Sequence, residues 1–265
     1  MKKILCFVLA IVCLLAVVAG CGGHAPQQAG APAHKESHTE TVLRVGTDAD
    51  YPPFEYYQES TKAFIGFDVE LMQGVAREAG YSKVEFVDLE FNNLLPSLKD
   101  GQVDAVISCM NMTEERKKAA DFTEPYLASS NVVVGAVDAK FGSADVMKGK
   151  RIAAEIGSIH EKQVKKYSDA VIETGGADEA LKLVMDKKAD YAVMDHYTAR
   201  FFITNFYNGK LQIVATLPDE SDNGIAIAVA KGNTKLLAQL NEGLKKYQAH
   251  ASFHQLKNNY FGKLK

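Results

Sequence analysis

The stretch FDVELMQGVAREAGYSKVEFVD, residues 67–88, changes its hydrophobic period partway along. Leu71, Met72, Val75, Ala76 and Ala79 recur three and four apart, as one face of an α-helix does, and Gly80 supplies a stop. KVEFVD at 83–88 then alternates apolar and polar residues, which suits a strand. Outward from there, VLRVGT at 42–47 reads as the preceding strand. NNLLPSLKDG at 92–101 reads as a short helix closed by Gly101, and VDAVIS at 103–108 as the next strand. Strands alternating with helices predict an α/β fold with parallel sheets.

A weak internal echo suggests that this unit occurs twice. SLKDGQVDAVIS at 97–108 is matched by LVMDKKADYAVMD at 183–195, with Asp104 and Asp190 in the same place. Two αβ units often look alike by chance, but the echo fits two similarly built lobes facing a shared cleft. In open α/β sheets ligands lie beyond the carboxyl ends of the strands, which points to Asp48, Ser108–Asn111, Gly157, Ser158 and Asp195. Crossings between lobes are expected near residues 128–132 and in the turn-rich 219–224. The strand IAIAVA and the helix NTKLLAQLNEGLKKYQAH would then return to the first lobe. The predicted division is 41–129 with 225–265 for lobe 1, and 130–224 for lobe 2.

Residues 1–40 are separate. Lys2 and Lys3 precede an apolar run from Ile4 to Val18, then Ala19, Gly20 and Cys21. This reads as a secretory signal over 1–20, too short and wrongly flanked for a membrane span. Residues 22–40 hold no large aliphatic or aromatic side chain and read as a flexible tether. Net charge is −3; losing Lys2 and Lys3 takes 30 basic residues to 28 against 33 acidic, or −5. That balance argues against a nucleic-acid partner, which calls for a basic face. Of four cysteines, Cys6 and Cys13 leave with the signal, and only Cys21 and Cys109 remain. No Cys/His cluster argues for a metal site, and the sequence asks for no cofactor.

Several segments together carry a family pattern: YPPFEY at 51–56, GFDVEL at 66–71, LLPSLKDGQVDAVIS at 94–108 and MTEERKKAADFTEPY at 112–126. EIGSIHEK at 155–162, AVMDHYTAR at 192–200 and IAIAVAKGN at 225–233 extend it. From Thr41 to Lys265 the chain resembles the extracytoplasmic solute-binding protein family 3, the polar amino-acid receptors of ABC importers. VAGC at 18–21 likewise resembles a bacterial lipoprotein processing box, with Cys21 the lipidated residue. The resemblance implies a two-lobed periplasmic binding protein of type II, a Venus flytrap with a two-segment hinge. It implies a monomer outside the cytoplasm, lipid-anchored, that passes a free amino acid to a membrane permease with its ATPase and has no enzymatic activity.

An α-amino acid brings a carboxylate and an ammonium, and a dry cleft must replace the water around both with charge-assisted hydrogen bonds. By resemblance, Arg116 of the TxxR motif grips the carboxylate, helped by backbone donors at Gly157, Ser158 and Ile159. Ile159 stands where many relatives have Thr. Asp195 would pair with the ammonium, as would Ser108, Cys109, Met110 and Asn111 through hydroxyl, carbonyl or amide oxygens. Read without the resemblance, Arg116 is more simply a surface residue in the first turns of an acidic-capped helix, and Asp195 is a plain helix N-cap, a role that can coexist with ligand binding. Cys109 has no base partner in the sequence and is expected to be inert. Tyr51 and Phe91 resemble the pair of aromatics that sandwich the ligand side chain; core packing is their other reading. Asp48 and Glu155, two carboxylates beside two aromatic faces, would suit a guanidinium or ammonium, so the expected ligand is a basic amino acid: arginine, then lysine or histidine. Glutamine is the alternative ligand. A cyclohexadienyl-dehydratase-like enzyme with Glu155 as general acid is the alternative activity, and a sensory module a third reading.

Overall fold

The computed structural model describes residues 41–140, 142–218 and 224–262. The signal, Cys21 and tether expected in 1–40, and most of the second expected crossing, lie outside them. In order the elements are β1 (Val42–Thr47), β2 (Asp50–Tyr51), β3 (Glu55–Gln58), β4 (Ala63–Ile65), α1 (Phe67–Glu78), β5 (Lys83–Asp88), α2 (Leu94–Lys99), β6 (Ala105–Val106), α3 (Glu114–Ala119), β7 (Ala120–Phe122) and β8 (Asn131–Ala136). There follow β9 (Ile152–Glu155), α4 (Ile159–Val164), β10 (Val171–Thr174), α5 (Ala177–Met185), β11 (Tyr191–Asp195), α6 (His196–Asn205), β12 (Leu211–Thr216), β13 (Ala228–Ala230), α7 (Thr234–Gln248) and α8 (Ala251–Phe261).

Two five-stranded sheets result, ordered β5-β1-β6-β13-β7 and β10-β9-β11-β8-β12, with β2, β3 and β4 in a third. The first two share one topology. In each, the second strand pairs in parallel on both sides (β1 with β5 and β6, β9 with β10 and β11), and the fourth inserts antiparallel (β13, β8). The sheets are therefore mixed, not parallel as predicted. Both exceptions, β8 and β13, are the strands that follow a crossing between sheets. Such a strand enters from the cleft and must run away from it, against neighbours that run towards it.

The echo also has a structural counterpart. Asp104 accepts from the backbone N–H of Arg44 at 3.0 Å and pairs with its guanidinium at 2.7 Å. Asp190 does the same to Arg151, at 2.8 and 2.9 Å. Each aspartate thus ties its strand to the start of the neighbouring one, β1 or β9. Both pairs are partly exposed, so they fix register more than they stabilise.

Buried Leu43, Val45, Leu71, Met72 and Val75 fill the space between β1 and α1, each contributing about 1.5–3 kcal/mol by leaving water. The C-terminal helices close over the same core: Phe261 of α8 packs against Phe67 with ring centroids 4.6 Å apart and the rings tilted by 54°. Strand β13 is shorter than IAIAVA because Ile225 is used elsewhere, bridging to Asn111 and Leu127 beside the crossings. The crossings are bonded to one another there, Ile225 N–H donating to Leu127 C=O at 2.8 Å. Among the described residues no helix is long and apolar enough to cross a membrane.

Candidate ligand site

Side chains at the facing ends of the two sheets converge on a small pocket between them. From the first sheet and its loops come Asp48 after β1, Tyr51 on β2, Phe91 after β5, Ser108, Cys109 and Asn111 after β6, and Arg116 on α3. From the second come Glu155 at the end of β9 and Ser158, Ile159 and His160 at the start of α4.

Arg116 is positioned by its own helix. Thr113 caps α3, its hydroxyl accepting from the Arg116 N–H at 3.1 Å. The guanidinium is inside: it donates to Asn111 C=O at 2.8 Å and to Gly157 C=O at 3.2 Å, with its carbon 5.1 Å from the Phe91 ring centroid. Those bonds use two of its five donors. Burial lowers its pKa to about 10 and the nearby Glu155 charge opposes that, so it stays a cation.

Near it lies an excess of acid. One carboxylate oxygen each from Asp48, Asp50 and Glu155 fall within 4.8 Å of one another. Asp48 and Glu155 are buried, and neither Asp48 Oδ2 nor Glu155 Oε1 finds a donor. Burial, then the Asp50 charge, pushes Asp48 up to about 8. Asp50 rises to about 6 through desolvation and the Glu90, Asp88 and Asp178 charges. Glu155 is pushed well above the usual range by burial and the two aspartates. The trio calls for a cation. As metal ligands these three oxygens are far short of the six to eight that calcium takes; a planar cation with several N–H donors matches them better.

The loop after β6 is held from below. Ser108 Oγ accepts from Asp48 N–H at 3.0 Å, and Asp68 Oδ2 accepts from Cys109 N–H at 2.8 Å. Cys109 has φ 42°, which turns consecutive side chains in different directions. Its thiol is pushed well above its ordinary pKa by burial and then by surrounding acids, so it stays protonated and unreactive.

Three expected residues do not line the cavity. Met110 is buried in the cluster of Leu94, Leu98 and Val106, on the far side of its loop from Cys109. Gly157 offers no free N–H, because that group donates to Glu161 Oε2 at 2.7 Å; the Ser158 N–H is likewise taken by Glu155 C=O at 3.2 Å. Gly157 instead allows a close approach: it has φ 75°, and a β-carbon there would stand 3.0 Å from Asn92 Cβ. On the α4 side the N–H groups of Ile159 and His160 are those that helix geometry leaves without an acceptor. Asp195 acts as the N-cap of α6, Oδ1 accepting from Tyr197 N–H at 2.7 Å, while its own N–H donates to Tyr51 Oη at 3.0 Å. It adjoins the cavity through Tyr51 without forming its wall.

Two site residues escaped the sequence: Asp50, exposed beside the cavity, and His160, which lines it. Asp50 sits two positions after Asp48, a spacing that can bring two strand side chains to one face. His160 carried no signal beyond its place after a strand end. It is buried and neutral, burial and Arg116 lowering its pKa to about 3. Gln163 Nε2 must donate to the Pro218 carbonyl, so its Oε1 accepts from Asn131 Nδ2, and Asn131 Oδ1 accepts from His160 Nε2. That order makes His160 Nδ1 an acceptor.

Two sheets of one topology with a buried cavity at their facing strand ends define the two-lobed type II fold of periplasmic binding proteins. The chain belongs to the bacterial extracellular solute-binding proteins, family 3, whose profile matches residues 43–263. It is 33% identical over 254 residues to the arginine-binding extracellular protein ArtP of Bacillus subtilis (strain 168), spanning 94% of this chain and 97% of the relative. Among solved structures, an ancestral arginine-binding protein bound to arginine superposes with TM-score 0.78 at 33% identity, covering 85% of this chain and 100% of that one. An ancestral amino acid-binding protein described as a precursor of cyclohexadienyl dehydratase gives TM-score 0.73 at 29% identity, over 83% and 95%.

Proposed function

We propose that this protein is the substrate receptor of an amino-acid ABC importer, without enzymatic activity, and that its ligand is a basic amino acid, arginine first. The observation that carries the substrate class is the convergence of three carboxylates, Asp48, Asp50 and Glu155, with oxygens within 4.8 Å of one another. A guanidinium supplies the charge and N–H groups they lack. Glutamine brings a neutral amide and would leave buried carboxylates without a cation. Arg116, with the Ile159 and His160 N–H groups, takes the ligand carboxylate; Ser108 and Asn111 take the ammonium, with Asp195 adding charge from behind Tyr51. Because these groups come from both sheets, the ligand favours the closed arrangement over an open one and shifts the population towards it. The relatives' arginine-binding names agree with this reading.

Isothermal calorimetry over arginine, lysine, histidine and glutamine tests it. Arginine should bind most tightly; tighter glutamine binding overturns the substrate class, and no amino-acid binding overturns the receptor reading.

Glu155 supports a second reading. An acid whose pKa is raised, in a cavity with a carboxylate-gripping arginine, has what a dehydratase needs of a general acid. Prephenate turnover, abolished in Glu155→Gln, is the result that would favour it.

For delivery, the receptor is held at the membrane as a monomer by acyl chains on Cys21, a reading supported by the VAGC run after an apolar segment. Labelled fatty acid should enter the native protein and not Cys21→Ala.

A further inference from the structure

Beneath the cavity lies an acidic pair with no part in the reading above. Glu55 on β3 and Asp68 in the first turn of α1 are both 0% exposed. One oxygen of each is well served. Ser108 Oγ–H donates to Glu55 Oε1 at 3.0 Å, while Asp68 Oδ2 accepts from Cys109 N–H at 2.8 Å and Tyr126 Oη–H at 2.6 Å. The other two, Glu55 Oε2 and Asp68 Oδ1, have no donor. Two ionised carboxylates cannot satisfy each other, whereas a single proton between them satisfies both. Both side chains bond to the same short loop, at Ser108 and Cys109, and a hydrogen bond between the two is among the causes that raise Glu55.

We infer that Glu55 is held as a neutral acid donating its proton to Asp68, and that this locked pair makes the Ser108 hydroxyl an acceptor only towards the cavity. The proton belongs on Glu55 because Asp68 has two donors to stabilise its charge and Glu55 has one hydroxyl. The charges weighing most on Glu55 are Asp68 and Asp48, both acidic, and with burial they push its pKa well above the carboxylate range; Asp68 rises to about 6. A hydroxyl has one hydrogen and two lone pairs. The hydrogen of Ser108 is committed to Glu55 and one lone pair to Asp48 N–H. What remains is a lone pair, which attracts a cationic N–H and repels a carboxylate. Glu55 is thus a positioning residue that sets which end of a zwitterion lies at Ser108. The assignment of that end to an ammonium rests on the amino-acid reading; the protonation of Glu55 does not.

Infrared difference spectroscopy of the full, ligand-free chain, with its glutamate carboxyls ¹³C-labelled, tests the protonation. A protonated glutamate band should persist from about pH 6 to about pH 8, survive in Glu155→Gln, where that second raised glutamate is gone, and vanish in Glu55→Gln. No such band in the Glu155→Gln protein overturns the inference, whatever the ligand proves to be. Calorimetry with arginine then tests positioning. Glu55→Ala should weaken binding about tenfold or more. Glu55→Gln should restore it, its amide N–H donating to Asp68 and its carbonyl accepting from Ser108. A folded Glu55→Gln protein that binds as weakly as Glu55→Ala overturns the positioning role. If neither variant folds, the infrared band in the Glu155→Gln protein decides.

Discussion

A β-carbon on Gly176, the residue before α5, would stand 2.1 Å from a carboxylate oxygen of Asp50 on β2. The two sheets' units therefore meet across the cleft at a point where only hydrogen fits. Gly176 is in extended backbone that alanine also adopts, φ −171°, so Gly176→Ala leaves each unit unstrained. The clash exists only when the units are together. Asp50 could swing aside, but that takes it out of the trio with Asp48 and Glu155. Arginine affinity is expected to fall by about 1–3 kcal/mol, with ligand-free melting almost unchanged. Equal affinity in calorimetry would show that the contact is not part of the liganded arrangement.

Arg116 has no adequate substitute. Lysine would keep the charge but could not donate at once to Asn111 C=O, Gly157 C=O and a ligand carboxylate in one plane. Both Arg116→Ala and Arg116→Lys should lose affinity, the alanine by about 2–5 kcal/mol. Because Arg116 also joins α3 to the Gly157 turn, small-angle scattering should show the lysine variant less closed with ligand than the native protein. A lysine variant with native affinity would count against a bidentate grip.

The α/β class, the strands at 42–47 and 83–88 and the repeated unit were all legible because burial on one face leaves a period in the sequence. The strand-end rule then found most of the cavity. What it could not find depends on partners distant in sequence. Nothing local to IAIAVA says that its neighbours will run the other way. Met110 follows a residue at positive φ, and that turn, not alternation, decides which side it faces. Nothing local to Asp195 says whether a helix cap also faces a ligand; the Tyr51 hydroxyl that accepts from its N–H comes from a residue far away in the chain. The short β2–β4 sheet has too few residues to show a period, and α8 buries only Phe253, Leu256 and Phe261, too sparse an apolar face to stand out.

Asp195 accordingly separates two kinds of loss. Its Oδ1 caps α6, so Asp195→Ala should lower stability by about 1 kcal/mol, read by chemical unfolding of the ligand-free protein. Asp195→Asn keeps a cap acceptor and should recover most of that. If the charge acts on a ligand ammonium from behind Tyr51, Asp195→Asn still loses arginine affinity, though less than Arg116→Ala does. Native affinity in the asparagine variant would confine Asp195 to a structural part.

The raised acids give binding a pH dependence of defined sign. In the empty cavity Asp48, up to about 8, and Asp50, up to about 6, hold protons that they would have lost in the unfolded chain, and Glu155 does likewise. Their contribution to ligand-free stability is complete below their unfolded values. It is lost as pH rises through about 6 and then about 8, so ligand-free melting should fall across that window. A guanidinium favours the ionised forms and expels the protons. Arginine affinity should therefore rise over the same window, and calorimetry in two buffers of different ionisation heat should detect proton release. The stabilisation given by arginine should grow as the ligand-free protein weakens. Glutamine, with no charge to offer the trio, should release no protons there. An arginine affinity that stays flat between those pH values, with no proton release, would remove the acidic trio from the ligand's side-chain site.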